Sequence, residues 1–242
     1  MSLVVDPGLD VERVLMVLAH PDDVDFGAAG TVALWTANGI EVAYCLVTDG
    51  DAGGSDHSIS RAEMAAIRRE EQTEAARHVG VFDLTFLGFP DGRLQPDLEV
   101  RKAISGVIRR FRPDRVVCQS PERNWERIYA SHPDHLAAGE AAACAVYPDA
   151  RNPFAFPELL EAGLEPHSVP EMWVMAIEKS NRAVDVTDHY DAKLAALSAH
   201  QSQVGDGAHL HELLTNWMTG TAEAAGMPEG RLAEAFLVVS TA

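Results

Sequence analysis

The ten residues VLMVLAHPDD, at positions 14–23, indicate how this chain folds. Six apolar residues run without a break to His20, a pattern typical of a strand that is buried on both faces of a parallel sheet. The strand should end at the His-Pro pair, where a turn is favoured because proline disfavours helical geometry in the residue before it. The stretch therefore predicts a central strand whose carboxyl end carries histidine and aspartate side chains.

Outward from this strand, the sequence alternates between strand and helix patterns. Further strands are predicted at residues 41–48, 84–87 and 115–119, and helices at residues 27–38, 60–79, 98–110 and 132–145. We therefore expect an α/β chain with a Rossmann-like three-layer fold, in which a mainly parallel sheet has helices on both faces. Ligands of such sheets bind beyond the carboxyl ends of the strands, so a site is expected at that edge.

The last third of the chain departs from the alternation. Residues 148–170 contain five prolines and are predicted to form an irregular insertion or lid loop. Residues 172–177 and 183–186 are expected to form a strand pair, followed by helices at residues 191–202 and 208–224 and a final strand at residues 236–239. No repeat or linker interrupts the sequence, which predicts a single domain over residues 1–242.

A second cluster of histidine and aspartate, HPDH at positions 132–135, follows the predicted fourth strand. Either string alone is compatible with a turn or a helix start, since aspartate is a common N-cap residue. Together they bring two histidines and one aspartate to one sheet edge, which can hold a divalent metal and leave a coordination position open. We predict that His20, Asp23 and His135 bind one Zn²⁺, or another divalent ion, per chain.

Three polar neighbours of these residues could supply acid–base chemistry. Asp22 cannot easily share the ligand role with Asp23, and we predict that it is the general base that deprotonates water. His132 is expected to stabilise an oxyanion or to protonate a leaving amine, and Asp134 to orient an imidazole. Asp134 could instead be a carboxylate that the positive end of a helix dipole favours. The set predicts a metal-dependent hydrolase.

Net charge and hydropathy argue against two classes of binding partner, nucleic acids and membranes. The formal net charge of −18 argues against a nucleic-acid partner, because binding the phosphate backbone requires a basic surface. No apolar stretch could span a bilayer and the first residues do not resemble a signal peptide, so we expect a cytoplasmic protein without a membrane partner. Cys45, Cys118 and Cys144 lie far apart and are expected to be small core residues. A homo-oligomer is compatible with the sequence.

The two motifs and several later segments resemble the zinc-dependent N-deacetylases of the LmbE-like or PIG-L family. Beyond AHPDD and HPDH, the resemblance includes an acidic glycine-rich loop, a helix, a strand with its turn and a late element. These are VTDGDAGG at residues 47–54, Arg68 with Glu71 and Ala75, FLGFPDG at residues 86–92, and Lys193 with His200, Ser202 and Gln203. The resemblance excludes residues 148–170. Family members often carry glutamate after AHPDD, whereas this chain has Val24 followed by Asp25.

This resemblance implies a Rossmann-like fold and hydrolysis of an N-acetyl group on an N-acetylglucosaminyl compound. It implies zinc at His20, Asp23 and His135, with Asp22 as the base and His132 as the stabiliser or acid. It also implies that Arg68 and Asp91 contact the sugar or its aglycone. Two further contacts are predicted from position: Asp49 in the substrate cleft, and Trp125 as a surface on which a sugar stacks.

We therefore interpret the chain as a zinc-dependent deacetylase whose partner is a small amino sugar conjugate. One alternative is a zinc amidohydrolase or esterase that acts on a non-sugar secondary metabolite. A dinucleotide-binding oxidoreductase would require G-x-G-x-x-G after the first long strand, where HPDD stands instead. A non-catalytic module stabilised by metal would not need a separate base beside the ligands.

Overall fold

One sheet of eight strands runs through the described part of the protein. The computed structural model describes residues 3–54, 56, 58–205, 207 and 209–242. The strands are β1 (Val4–Val5), β2 (Arg13–Leu18), β3 (Glu41–Thr48), β4 (Asp83–Phe89), β5 (Arg115–Gln119), β6 (Glu171–Met175), β7 (Arg182–Asp185) and β8 (Ala233–Ser240). Their order is β1-β7-β8-β6-β5-β2-β3-β4, and β8 runs antiparallel to both neighbours while the other pairs are parallel. The predicted α/β class with a mainly parallel sheet is confirmed.

Helices cover both faces of this sheet. They are α1 (Asp23–Gly27), α2 (Ala29–Ala37), α3 (Arg61–His78), α4 (Leu98–Phe111), α5 (Pro133–Cys144), α6 (Pro157–Glu161), α7 (Tyr190–Ser198), α8 (Gln201–Val204) and α9 (Leu210–Ala224). Helix α3 begins with a capping box, in which Ser60 and Glu63 each accept a backbone N–H from the other. The residue at which the last long helix was predicted to begin, residue 208, lies outside the described residues.

The core forms two apolar layers, one on each side of the sheet. Side chains of β2 alternate between them, so Met16 and Leu18 contact one layer while Leu15 and Val17 contact the other. Helices α2, α3, α7 and α9 pack on the first side, and α4 and α5 pack on the second. Burial on both faces explains the unbroken apolar run that begins at residue 14.

The helix predicted at residues 27–38 is α2, and a short helix that was not predicted, α1, precedes it. Helix α1 begins earlier, at Asp23, and ends before a break at Ala28, whose φ of −151° is not helical. Two buried charged side chains stabilise this break. Lys193 Nζ donates to the carbonyl oxygens of Asp25 and Phe26 near the end of α1, and Glu234 accepts N–H groups at the start of α2.

The predicted pairing of the two late strands is wrong. Strand β8 lies between β6 and β7, with Trp173 opposite Val238 and Ala183 opposite Ala235. Apolar patterning identifies strands but not their partners, because every inner strand of a sheet has two neighbours.

Residues 148–170 are more ordered than predicted. They include α6, and the preceding π-helical turn Ala145–Asp149 joins them to α5. Arg109 of α4 donates to carbonyl oxygens of this segment, and His167 Nε2 lies 2.8 Å from the carbonyl oxygen of Pro113, which precedes β5. Within the described part of the chain, no hydrogen bond or ion pair joins this segment to His20 or His135. The contacts place the segment against α4 and the residues before β5.

Two of the three cysteines have the burial expected of core residues. Cys45 and Cys118 are buried in the sheet, Cys144 is half-buried, and all three thiols are free. Among the helices that the structure describes, none is both long and apolar enough to cross a bilayer.

Candidate active site

The two histidine-aspartate strings lie together at the carboxyl edge of the sheet. His20 directly follows β2, while His132 is the N-cap residue of α5 and His135 lies in its first turn. The ring centroid of His20 lies 5.1 Å from that of His132 and 5.2 Å from that of His135. One ring nitrogen of each histidine falls within 4.8 Å of the other two, so the three imidazoles could share a metal ion.

Asp23 lies between two of these imidazoles. Its Oδ1 atom is 3.0 Å from His135 Nε2, and its Oδ2 atom is 3.5 Å from His20 Nδ1. Oδ2 also accepts the His20 backbone N–H at 2.6 Å, which orients the carboxylate. Zinc–ligand bonds of about 2.1 Å in tetrahedral geometry separate the donor atoms by roughly 3.4 Å. The distances from Asp23 to the two rings, 3.0 and 3.5 Å, bracket this separation. Among the described residues, the sets whose donor atoms all lie within 4.8 Å of one another are His20 with His132 and His135, and His20 with Asp91 and Asp134, so Asp23 belongs to neither set.

Two further carboxylates face the other side of the His20 ring. His20 Nε2 lies 3.0 Å from Asp91 Oδ1 and 3.4 Å from Asp134 Oδ2, and these three groups form a second set that could hold a cation. Asp134 accepts the backbone N–H groups of Gly92 and Leu94, which links the start of α5 to the turn after β4. Asp134 was predicted to orient an imidazole, and its Oδ2 atom lies near the imidazole of His20. The contact of Asp91 with His20 was not indicated, because Asp91 was expected to contact substrate.

The three carboxylates around His20 raise the pKa of its ring. Burial disfavours the charged ring, but Asp134, Asp23 and Asp91 together raise the pKa of His20 to about 12. Its buried Nε2 atom has no aligned hydrogen-bond partner among the described residues. The donor set thus favours a positive charge at this point, and two imidazoles beside carboxylates suit a zinc ion.

Asp22 adopts a backbone conformation that is uncommon for residues other than glycine. Its φ is 83°, in the left-handed region, and it serves as the N-cap of α1. Arg68 Nη2 donates to Asp22 Oδ2 at 2.9 Å and to the carbonyl oxygen of Pro21 at 2.5 Å. Burial and the charge of Asp23 raise the pKa of Asp22 to about 6, although Arg68 opposes the shift. A carboxylate with this pKa is suited to accept a proton near neutral pH.

His132 presents a hydrogen-bond donor to the site. Its Nδ1 atom accepts the Asp134 backbone N–H at 3.2 Å, so a neutral ring carries its proton on Nε2. Burial and the neighbouring rings of His20 and His135 lower the pKa of His132, which favours that neutral form. The ring can therefore donate to an oxygen that gains negative charge.

The four predicted substrate contacts lie in different surroundings. Arg68 is buried, and its guanidinium is bonded to Pro21, Asp22 and Gly50, while Asp91 is buried against His20. Asp49 forms an ion pair with Arg69 at 2.6 Å and borders a cavity of about 490 Å³. Trp125 is 79% exposed in the loop before α5. Asp49 and Trp125 thus remain accessible to a ligand.

Sequence reasoning missed several buried polar residues around these groups. Gln72 accepts the Asp22 backbone N–H, Asp25 contacts Gln72 and His200, and Glu234 pairs with Lys193. The late element with Lys193 and His200 was the available signal, but it did not identify the partners of those side chains.

Comparison with known proteins relates this geometry to a family. The family described as PIG-L, GlcNAc-PI de-N-acetylase, matches residues 15–146, which include both motifs. A diacetylchitobiose deacetylase of Thermococcus kodakarensis is 39% identical over 202 residues, covering 82% of this chain and 72% of that protein. A probable N-acetyl-alpha-D-glucosaminyl L-malate deacetylase 2 of Bacillus cereus is 32% identical, covering 79% of this chain and 83% of that protein.

A solved structure is similar over nearly the whole chain. It is an N,N'-diacetylchitobiose deacetylase from Pyrococcus horikoshii, complexed with its inhibitor MPG. The two share 34% sequence identity and a TM-score of 0.88, with coverage of 97% of this chain and 86% of the other. Both the fold and the order of its elements are therefore shared with that deacetylase.

Proposed function

This chain belongs to the PIG-L family, and we propose that it hydrolyses the N-acetyl group, or a similar N-acyl group, of an N-acetylglucosaminyl conjugate. It is a deacetylase by its family and its relatives, whose names specify diacetylchitobiose and N-acetylglucosaminyl malate. One observation carries the proposal: the Asp23 carboxylate lies between His20 and His135, with the Asp22 carboxyl beside it.

The ligands that we propose for zinc are His20, Asp23 and His135. Asp23 is preferred to His132 as the third ligand because its two oxygens face one nitrogen of each other ligand, at 3.0 and 3.5 Å. When bound, a zinc ion would polarise the amide carbonyl and lower the pKa of a water molecule. The carboxylates of Asp91 and Asp134 would orient the His20 ring from its opposite nitrogen.

Asp22 and His132 would divide the proton chemistry. Asp22 accepts a proton from the attacking water, a role that its raised pKa and its position beside the ligands support. His132 Nε2–H donates a hydrogen bond to the carbonyl oxygen as negative charge develops there. The proton held by Asp22 is then available to the leaving amine, and acetate and the free amino sugar are released.

Substrate recognition is proposed at the exposed rim. Trp125 offers an aromatic face on which a sugar ring can stack, and Asp49 offers a carboxylate to sugar hydroxyls. The contacts of Arg68 support a different role from the one predicted, because its guanidinium holds Asp22 and Pro21. We also propose a cytoplasmic location, with which the free thiols of Cys45 and Cys118 are compatible.

A metal assay combined with acetate release tests the assignment. Purified protein should contain about one zinc per chain, a chelator should remove both metal and activity, and added zinc should restore activity. Asp22→Asn should keep the metal but lose at least about 10²-fold in kcat on diacetylchitobiose, because proton transfer is lost. Asp23→Ala should lose the metal itself.

The matched control is Asp83→Asn, since this carboxylate is exposed and lies away from the histidines at the start of β4. It should retain both metal and activity. If Asp22→Asn lost metal while Asp23→Ala kept it, the roles would be reversed. Full activity in both variants would refute the proposed mechanism.

A further inference from the structure

We propose that Gln72 is a positioning residue that holds the peptide of Asp22 in the conformation needed for proton transfer. This inference rests on the proposed function, in which Asp22 is the base. Gln72 lies on α3 and is fully buried, and its side chain joins two groups of opposite hydrogen-bonding character. Nothing in its own chemistry can transfer a proton to substrate, so any effect on the reaction passes through a group that it contacts, and of its two partners Asp22 is the proposed base.

The amide of Gln72 is matched to its two partners. Its Oε1 atom accepts the backbone N–H of Asp22 at 2.8 Å, and its Nε2 atom donates to Asp25 Oδ2 at 2.9 Å. A backbone N–H can only donate, and a carboxylate can only accept. The amide therefore has one satisfactory orientation, and no other side chain of this length offers an acceptor and a donor in those places.

The hydrogen bonds continue from Gln72 through Asp25 to His200, which is also buried. Asp25 Oδ2 lies 2.8 Å from His200 Nε2, and both side chains are inaccessible to solvent. His200 lies between α7 and α8, so the late element of the sequence is connected to Asp22 through Asp25 and Gln72. Val24 packs in the apolar core, which explains why Asp25, rather than its neighbour, supplies the carboxylate.

Asp22 needs such support because of its backbone. A non-glycine residue with φ of 83° is strained, and such residues persist where the surroundings over-determine them. Arg68 and Gln72 are four residues apart and therefore lie on the same face of α3. Arg68 holds the Pro21 carbonyl and the Asp22 carboxylate, while Gln72 holds the Asp22 N–H that lies between them. Without Gln72 this part-buried N–H loses its hydrogen-bond partner and the peptide can rotate.

The test compares Gln72→Met with wild type in zinc-loaded protein. Methionine has a similar length but neither bonds the Asp22 N–H nor donates to Asp25. We expect kcat for acetate release from diacetylchitobiose to fall about 10- to 100-fold, the loss typical of a displaced catalytic group. KM and zinc content should stay near wild type, because the ligands and the rim are untouched. A crystal structure of the variant should show a changed φ at Asp22.

Two further variants separate positioning from general destabilisation. Ala76→Gly removes a buried methyl one turn further along α3 and should lower Tm without changing kcat. In an Asp22→Asn background, Gln72→Met should have almost no additional effect on kcat, because the residue through which it acts is already lost. A multiplicative effect of the two substitutions would assign Gln72 a structural role.

The inference is overturned if Gln72→Met keeps wild-type kcat while Asp22→Asn is inactive. If Asp22→Asn itself is active, the proposed function fails instead, so the two failures are distinguishable. A Gln72→Met variant that loses zinc would also refute the inference, since its effect would then lie on the ligands.

Discussion

Replacing Lys193 by methionine tests how strongly the buried charges stabilise the segment that carries Asp23. Lys193 is inaccessible to solvent, and its Nζ atom donates to Glu234 Oε1 at 2.7 Å and to the carbonyl oxygens of Asp25 and Phe26 at 2.9 and 2.6 Å. Methionine preserves most of the aliphatic stem but removes all three hydrogen bonds. Glu234 would then be a buried carboxylate without a counter-charge.

The expected loss of stability in Lys193→Met depends on the hydrogen bonds that Glu234 keeps. Breaking a buried ion pair costs about 3–5 kcal/mol when the remaining charge is uncompensated. Here Glu234 keeps the N–H groups of Gly30 and Thr31, so we expect the lower end, about 3 kcal/mol. For a chain of this size, that loss corresponds to a decrease in Tm of roughly 6–12 °C. Zinc affinity should fall as well, because Lys193 holds the end of the helix that begins at Asp23.

Urea denaturation and thermal unfolding measure the loss of stability. Zinc titration measures the loss of zinc affinity. The matched control is Lys102→Met, since Lys102 forms exposed ion pairs with Glu99 and Glu158 that contribute little. It should leave Tm nearly unchanged. A Lys193→Met variant whose stability lies within about 1 kcal/mol of wild type would refute the argument that this pair is energetically required.

Two other substitutions test the packing and the rim of the site. Gly139→Ala should lower stability by about 1–3 kcal/mol and weaken zinc binding, because the added Cβ would lie 2.3 Å from the Gln119 carbonyl oxygen and displace α5, which carries His135. Its control, Gly220→Ala in α9, meets no atom within 4 Å and should be neutral or stabilising in the same unfolding assay. Trp125→Ala should raise KM for amino sugar substrates without changing Tm. Its control is Phe82→Ala, because Phe82 has the same exposure of 79%, and this variant should change neither KM nor Tm. Equal kinetics in both variants would contradict stacking on Trp125.

Local patterns predicted the elements of the fold well. Strands β3 and β5 have the predicted bounds, and the S-x-x-E signal at Ser60 is a capping box in the structure. These signals depend on neighbours within a few residues, which the sequence displays directly. The early start of α1 was missed because the His-Pro-Asp-Asp string reads as a turn, whereas Asp23 is already helical.

The missed features depend on residues that are distant in sequence. His200 meets Asp25 across 175 positions, and Glu234 caps α2 across 204 positions. A buried ion pair or amide bridge leaves no periodic signal, because each member stands alone among apolar neighbours. The position of β8 was missed for the same reason, since it depends on pairing with β6 and β7 rather than on its own pattern.

The metal motif was the most predictable part of the site. AHPDD directly follows β2, and HPDH opens α5 after the loop that follows β5. Both therefore lie beyond the carboxyl ends of parallel strands, and their meeting at one edge followed from topology. The roles of Arg68 and Asp91 were less predictable, because burial of an arginine or aspartate against backbone groups requires knowledge of the neighbouring loops.

The antiparallel strand β8 has a consequence for biosynthesis. Within the described sheet, β7 hydrogen-bonds only to β1 and β8. Residues 182–185 therefore cannot join the central strands until the ribosome has produced residues 233–240, which form β8. The strands and helices that bear the histidines are complete long before that point, within the first 145 residues. The segments that carry the metal motif can therefore fold together early in synthesis. Strand β1 precedes the other described strands, yet it is added to the sheet only after β7 has paired with β8. Such late closure lengthens the time during which strand edges are exposed to other chains.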